Sequence, residues 1–116
     1  MLTENQVYLF RSFQIDLGSF NQLLDSAAFD RQIFDQSWRS LQKKFAEEIQ
    51  PMQSDDYRIH SVLVEINKQM RLLGMDSLFL KTARQSETMQ GRVGQIRDRI
   101  ALLMNYCAVL LESDES

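Results

Sequence analysis

Seven residues, Met89, Val93, Ile96, Ile100, Leu103, Cys107 and Leu110, follow one another at alternating steps of four and three. That spacing holds an apolar seam on one face of an α-helix, and three heptads of it predict knobs-into-holes packing against a neighbouring helix. A strand has no use for it, because strand side chains alternate with a period of two. The helix over 87–111 therefore needs other helices to pack on. With one proline and four glycines in 116 residues, the chain has few places for the tight turns that sheets require and favours long helices.

The remaining sequence supplies those partners. Thr3 followed by Gln6 has the form of a capping box, and Phe10, Phe13, Leu17, Phe20 and Leu24 behind it form one helical stripe over 4–25. Gly18 marks a point of local weakness or of close packing in that helix. Asp25 to Asp30 reads as a connector with Asp30 as the next N-cap. Phe34, Trp38, Leu41, Phe45 and Ile49 make a second stripe over 31–50, stopped by Pro51. Ser54, backed by Asp55 and Asp56, is expected to start a third helix over 55–85. Its stripe is Ile59, Val62, Leu63, Ile66, Met70 and Leu73. Gly74 leaves two alternatives for that helix: continuity with a kink, or a break with Asp76 capping the restart. Ser86, Glu87 and Thr88 make the last turn and cap. The expectation is an all-α single domain spanning 1–116, an antiparallel four-helix bundle with long coiled-coil-like helices.

Composition narrows the function. The net charge is −3, which disfavours a nucleic-acid binder, since duplex binding relies on clustered Lys and Arg neutralising several phosphates. The charge is uneven, with six basic and nine acidic groups in 1–58 but seven and four in 59–111. A mildly basic stretch thus lies between acidic flanks and suits an acidic protein surface or internal pairing. Cys107 is the only cysteine, and neither a leader-like apolar run nor a membrane-length one occurs, so the expected location is cytoplasmic without membrane insertion. Parts for catalysis are missing: His60 is the only histidine and sits where a surface residue would, and Cys107 holds a seam position as a small hydrophobe. No metal-ligand spacing is present, Gly91 and Gly94 follow no strand, and neither metal nor cofactor is expected. Met70, Met89 and Trp38 fall on stripes and read as core.

The basic residues of the second half are more specific. Lys68 and Arg71 lie three apart on one helical face and repel each other mildly, with no acidic residue four positions from either. Asp76 is ringed at helical spacing by Leu72, Leu73, Phe79 and Leu80, so its carboxylate needs a cation or a capping role. A hairpin turning at Ser86 sets Asp76 opposite Ile96 to Arg99, and Asp98 near Gly74 within reach of Arg71. Two uses follow. Asp76 and Asp98 belong to an interhelical ion-pair set with the arginines that fixes register, or Lys68, Arg71, Arg84, Arg97 and Arg99 form a partner-binding patch.

The run EINKQMRLLGMDSLFLKTARQ from Glu65 to Gln85, followed by QIRDRI at Gln95 to Ile100 and by Tyr106 and Cys107, resembles the cyanobacterial heterocyst frequency control protein PatD family. The likeness rests on Glu65, Asn67, Gln69, Arg71, Leu72, Leu73, Gly74, Asp76, Phe79, Leu80, Ala83, Arg84 and Gln85, together with Arg97, Asp98, Arg99, Tyr106 and Cys107. It covers the second half of the chain; Met70, Thr82 and the SETMQGRVG turn depart from the family pattern. The resemblance implies a non-enzymatic regulator of heterocyst differentiation in filamentous cyanobacteria, acting through the cell-division protein FtsZ and placed with it at the division site. The rival is a self-associating coiled-coil protein whose last helix pairs its seam between chains. An amphipathic helix lying on a membrane is disfavoured, because the basic groups do not flank one exposed apolar face.

Overall fold

The first helix begins where backbone N–H groups find side-chain acceptors. Thr3 Oγ1 accepts from the Gln6 N–H and Gln6 Oε1 accepts from the Thr3 N–H, each at 3.0 Å, so the capping box is complete at the head of α1 (Glu4–Gln22). These features come from a computed structural model, which describes residues 2–25 and 29–115. The middle of the expected first connector, 26–28, lies outside the described residues. Asp30 caps α2 (Arg31–Lys44) through the N–H groups of Gln32 and Ile33, and Lys43 and Lys44 sit beside the negative end of its dipole.

α2 does not run as a regular α-helix to residue 50. Phe45–Ile49 forms a π-helical turn, in which the Gln50 N–H reaches back to the Phe45 carbonyl at 2.8 Å. A reason is visible in the apolar spacing. Leu41, Phe45 and Ile49 are separated by two successive steps of four, each of which overshoots a 3.6-residue turn by about 40°. A wider turn absorbs the drift, and all three side chains are buried.

The third helix, α3, spans Tyr57–Thr82 and is helical straight through Gly74, so neither a break nor a cap at Asp76 occurs. Its N-cap is Asp56, which accepts from the Arg58 and Ile59 N–H groups; Ser54, the expected cap, instead accepts from the Asp56 N–H. Gly74 is there for packing: a Cβ at this position would lie 3.0 Å from Cζ2 of Trp38. Gly18 differs, since a Cβ there would have nothing within 4 Å, so close packing is not its role. α3 ends three residues short of expectation at the extended cap Ala83, and α4 (Ser86–Glu115) follows.

Among the described residues the structure is helical, with no strand, and its four helices pack as a bundle-like ring. α4 touches α1 and α3, α2 touches the same two, and α1 with α3 or α2 with α4 make no comparable contact. Thirty residues of α4 at 1.5 Å per residue give about 45 Å, which matches the 46 Å long axis of the molecule. One core runs its length. All five stripe residues expected in the first helical segment, Leu24 beyond the end of α1 included, and all five of the second are buried. So are Ile96, Ile100, Leu103, Cys107 and Leu110 of the α4 seam. Phe20 stacks on Phe34 at 4.8 Å between ring centres, Phe13 meets Phe45 at 5.6 Å, and Phe20 meets Trp38 at 6.0 Å.

The four contacts in the ring are unequal. α3 and α4 meet along the broadest seam, whereas α2, shorter and turned at its end, meets α3 over a narrower one. That inequality places the surface features described next.

Candidate functional site

Around α3, successive residues turn by about 100°, and four directions have distinct neighbours. Ile66, Leu73 and Leu80 face the core and are fully buried. Gln69 and Asp76 face α4, while Asn67, Gly74, Ser77 and Lys81 face α2. Val64, Lys68, Arg71, Met75 and Leu78 point outward and are exposed.

On the α4 side, Asp76 is 5% exposed and its carboxylate is held by two cations. Arg99 Nε donates to Oδ2 at 2.9 Å, and Arg92 Nη1 lies 3.5 Å from Oδ1. Arg99 also reaches the buried Gln69 Oε1 at 3.4 Å. The Arg92 guanidinium covers one face of Phe79, 4.5 Å from the ring centre, and donates to Gln95 Oε1 at 3.0 Å. The apolar ring around Asp76 is thus answered from across the helix pair. Arg97 goes elsewhere, to Asp25 just beyond α1, and no ion pair joins Asp98 to Arg71; Asp98 is exposed.

The five basic residues singled out in the sequence therefore separate. Arg99 and Arg97 are engaged inside the molecule. Arg84 is exposed in the α3–α4 turn. Lys68 and Arg71 are exposed and have no ion pair among the described residues, and they stand amid Val64, Met75 and Leu78. Two cations thus share one exposed helical face with apolar side chains.

The α2 side of α3 is a groove. One cavity of about 470 Å³ is lined by Trp38, Gln42, Phe45, Ala46, Gln50, Asn67, Met70 and Arg71. A second, of about 180 Å³, continues past Trp38 and Gln42 to Asp35, Arg39, Gly74, Ser77, Leu78 and Lys81. Asp35 neutralises one charge, with Arg39 at 3.1 Å and Lys81 at 3.3 Å. Ser77 Oγ is buried and has no hydrogen-bond partner among the described residues. Sequence reading missed this groove, although the two steps of four through Phe45 and the glycine at 74 are its local causes.

The upper end of the groove is held by Arg31, also unforeseen. Its guanidinium donates to the Lys81 carbonyl at 2.8 Å and to the Ala83 carbonyl, tying the first turn of α2 to the end of α3. It also lies 3.4 Å from the Met89 sulfur.

Cys107 is fully buried, and burial pushes its thiol from 9.0 up to about 12. It stays protonated at neutral pH and offers no thiolate. Among the described residues no group of three or more His, Cys, Asp or Glu side chains is placed to hold a metal ion. No helix there is long and apolar enough to cross a membrane.

No curated protein and no solved structure matches the chain. A family match does exist and covers residues 12–106, from the middle of α1 to the last third of α4, so it takes in both walls of the groove and the Asp76 cluster. The chain belongs to the CRR41 C-terminal domain family.

Proposed function

We propose that the chain is a non-enzymatic regulatory module that docks a protein partner on the outward face of α3. The observation that carries this reading is the stripe Val64, Lys68, Arg71, Met75 and Leu78, where cations unpaired among the described residues share one helical face with exposed apolar side chains. Complementary charge would steer an acidic partner to it, and the apolar groups would add burial on contact. The scaffold in this reading is an antiparallel four-helix bundle with a coiled-coil-like α4 seam. Phe13 against Phe45, Phe20 against Phe34 and Asp76 against Arg99 support opposed neighbours.

The resemblance to the PatD family supplies the partner: FtsZ, with control of heterocyst frequency as the consequence and the cytoplasmic division site as the place of action. Arg71 of the stripe belongs to the residues that carry that likeness. The test is the affinity of the intact protein for purified FtsZ at low and high salt, for the wild type and the Lys68→Glu/Arg71→Glu double variant. Weaker binding in salt and in a folded double variant is expected. A folded double variant that binds as tightly as wild type removes the α3 face, and no wild-type binding removes FtsZ.

Self-association is the second reading, favoured by the apolar members of the same stripe. The α4 seam is spent inside the chain, so a dimer would use α3. Sedimentation over a concentration range separates the two: a dimer whose strength is unchanged by the double variant speaks for neither face of the proposal.

A further inference from the structure

We infer that the groove between α2 and α3 is a peptide-binding cleft that takes an acidic segment of a partner protein with an apolar anchor in its middle. This rests on the reading of α3 as a docking face and assigns the part of that face that gives selectivity.

Three observations carry it. First, the floor is apolar and aromatic at the centre: Trp38 lines both cavities, with Phe45 and Met70 beside it in the larger one. Gly74 lets the indole sit against the α3 backbone, so the cleft has a flat base that no side chain at 74 blocks. Second, the charge is positive at both ends. Arg71 stands at the larger cavity without an ion pair among the described residues, and Arg39 and Lys81 flank the smaller one with Asp35 cancelling only one of them. Within a chain of net charge −3, this cleft is locally cationic and favours carboxylates. Third, polar groups line the walls: Gln42, Gln50 and Asn67 carry amides that can meet the backbone of a peptide.

The dimensions define the ligand further. Arg71 and Lys81 are ten residues apart on one helix, about 15 Å along the axis. An extended chain covers that span in about four or five residues. The recognised segment thus has carboxylates four or five positions apart with a Leu-, Met- or Phe-like side chain between them, seated over Trp38.

The groove can be separated from the outward stripe because each has a residue the other lacks. Gln42 lines both cavities from α2 and is exposed, so Gln42→Glu changes the charge of the cleft at nearly constant shape. Lys68 lies on the stripe and lines neither cavity. The experiment pans a random peptide library displayed on phage against the intact wild-type protein, then titrates the enriched peptides, made synthetically, while reading the emission of Trp38, the only tryptophan. The expected result is enrichment of apolar residues flanked by Asp or Glu at that spacing, with a change in Trp38 emission on binding. Gln42→Glu and Arg71→Glu should each weaken the peptide roughly two- to fivefold, the worth of one exposed charge contact; Gln42→Lys should strengthen it, and Lys68→Glu should leave it near wild type. Peptides without acidic bias, binding indifferent to Gln42→Glu, no enrichment, or a Trp38 signal that responds only to protein concentration would each overturn the inference. Should peptides bind as described while FtsZ does not, the cleft stands and the identity of the partner falls. Should FtsZ binding depend on Lys68 and ignore Gln42, the stripe stands and the cleft falls.

Discussion

The two long edges of α3 are built from the same kinds of residue and end in opposite states. Against α4, Asp76 meets Arg99 and Arg92, Phe79 lies under a guanidinium, and the aliphatic stripe of α4 closes the core. Against α2, Arg71 has no acidic partner among the described residues, Trp38 lies beneath a groove instead of a helix, and Ser77 Oγ is left without a hydrogen bond. The difference is one of fit: α4 meets α3 along a broad seam, whereas α2 and its π turn run beside α3 and leave two cavities between them. A helix sealed on one edge and open on the other is a rigid platform, because the sealed edge fixes the orientation of what the open edge presents.

The sealed edge should respond most to disruption. Ile100 is 1% exposed in the α4 seam, and Ile100→Asp would bury a charge with no partner. A loss of about 4 kcal/mol or more is expected, a large share of the stability of an ordinary domain. Circular dichroism and a urea melt measure it, and a variant as stable as wild type would mean that the seam is not core.

The thiol in the same seam gives the edge a pH dependence. Its ionisation is pushed from 9.0 up to about 12 by burial, so the folded protein keeps a proton that the unfolded chain releases. This contribution is fully present below about pH 9 and declines as pH rises towards 12, by about 1.4 kcal/mol per unit. In urea melts at about pH 8 and about pH 10, Cys107→Ala should therefore fall behind wild type by less at the higher pH. A gap that stays constant would place the thiol in contact with water.

Asp76→Ala tests the ion-pair cluster itself. Removing one partner from a fully buried pair costs about 3–5 kcal/mol, but the Arg99 and Arg92 side chains are 27% and 34% exposed and can turn to solvent. About 2 kcal/mol is expected after that discount. A double-mutant cycle with Arg99→Ala should show coupling, and additivity would break the link between this cluster and the sealed edge.

Much of this edge could be read from spacing. Four stripes identified the buried faces, and the hairpin register brought Asp76 to Arg99. The same register failed for Asp98 and Arg71, and it did not find Arg92 on Asp76 or Arg97 on Asp25. Periodicity locates the face of a helix, but an arginine reaches several ångströms in any direction, so its partner depends on how each helix is rotated about its own axis. The groove was hidden for a related reason. Its walls belong to residues far apart in the chain, and its existence depends on how closely α2 packs on α3, which the spacing within neither helix states. Capping was legible to within a few residues: Thr3 and Asp30 act as expected, while Asp56 takes the role expected of Ser54, two residues earlier.

Glycines sharpen the contrast between packed and open surroundings. Gly18→Ala meets nothing within 4 Å and should stabilise the protein by up to about 1 kcal/mol through helix propensity. Gly74→Val pushes its Cβ to 3.0 Å from Trp38 and should cost about 1–3 kcal/mol. Thermal melts should move in opposite directions. Two shifts of the same sign would deny that Gly74 is there to seat the indole.

The smallest effect on stability is expected on the open edge, at the residues from which most is expected in binding. Lys68 and Arg71 are exposed and, among the described residues, have no ion pair to lose. In the wild type they repel one another across one turn of helix, and two glutamates would repel by a similar amount, so Lys68→Glu/Arg71→Glu exchanges one unfavourable pair for another. Stability should change by no more than about 0.5 kcal/mol, as for surface substitutions away from structural features. The nearby acidic group Glu65 argues for a small loss in place of a gain, since it lies three residues before Lys68 and would then face a like charge. A urea melt with an unchanged slope settles whether the double variant remains the same folded species. A loss as large as that of Asp76→Ala would show that these cations serve the fold, and the open edge of α3 would have to be redrawn as a second sealed one.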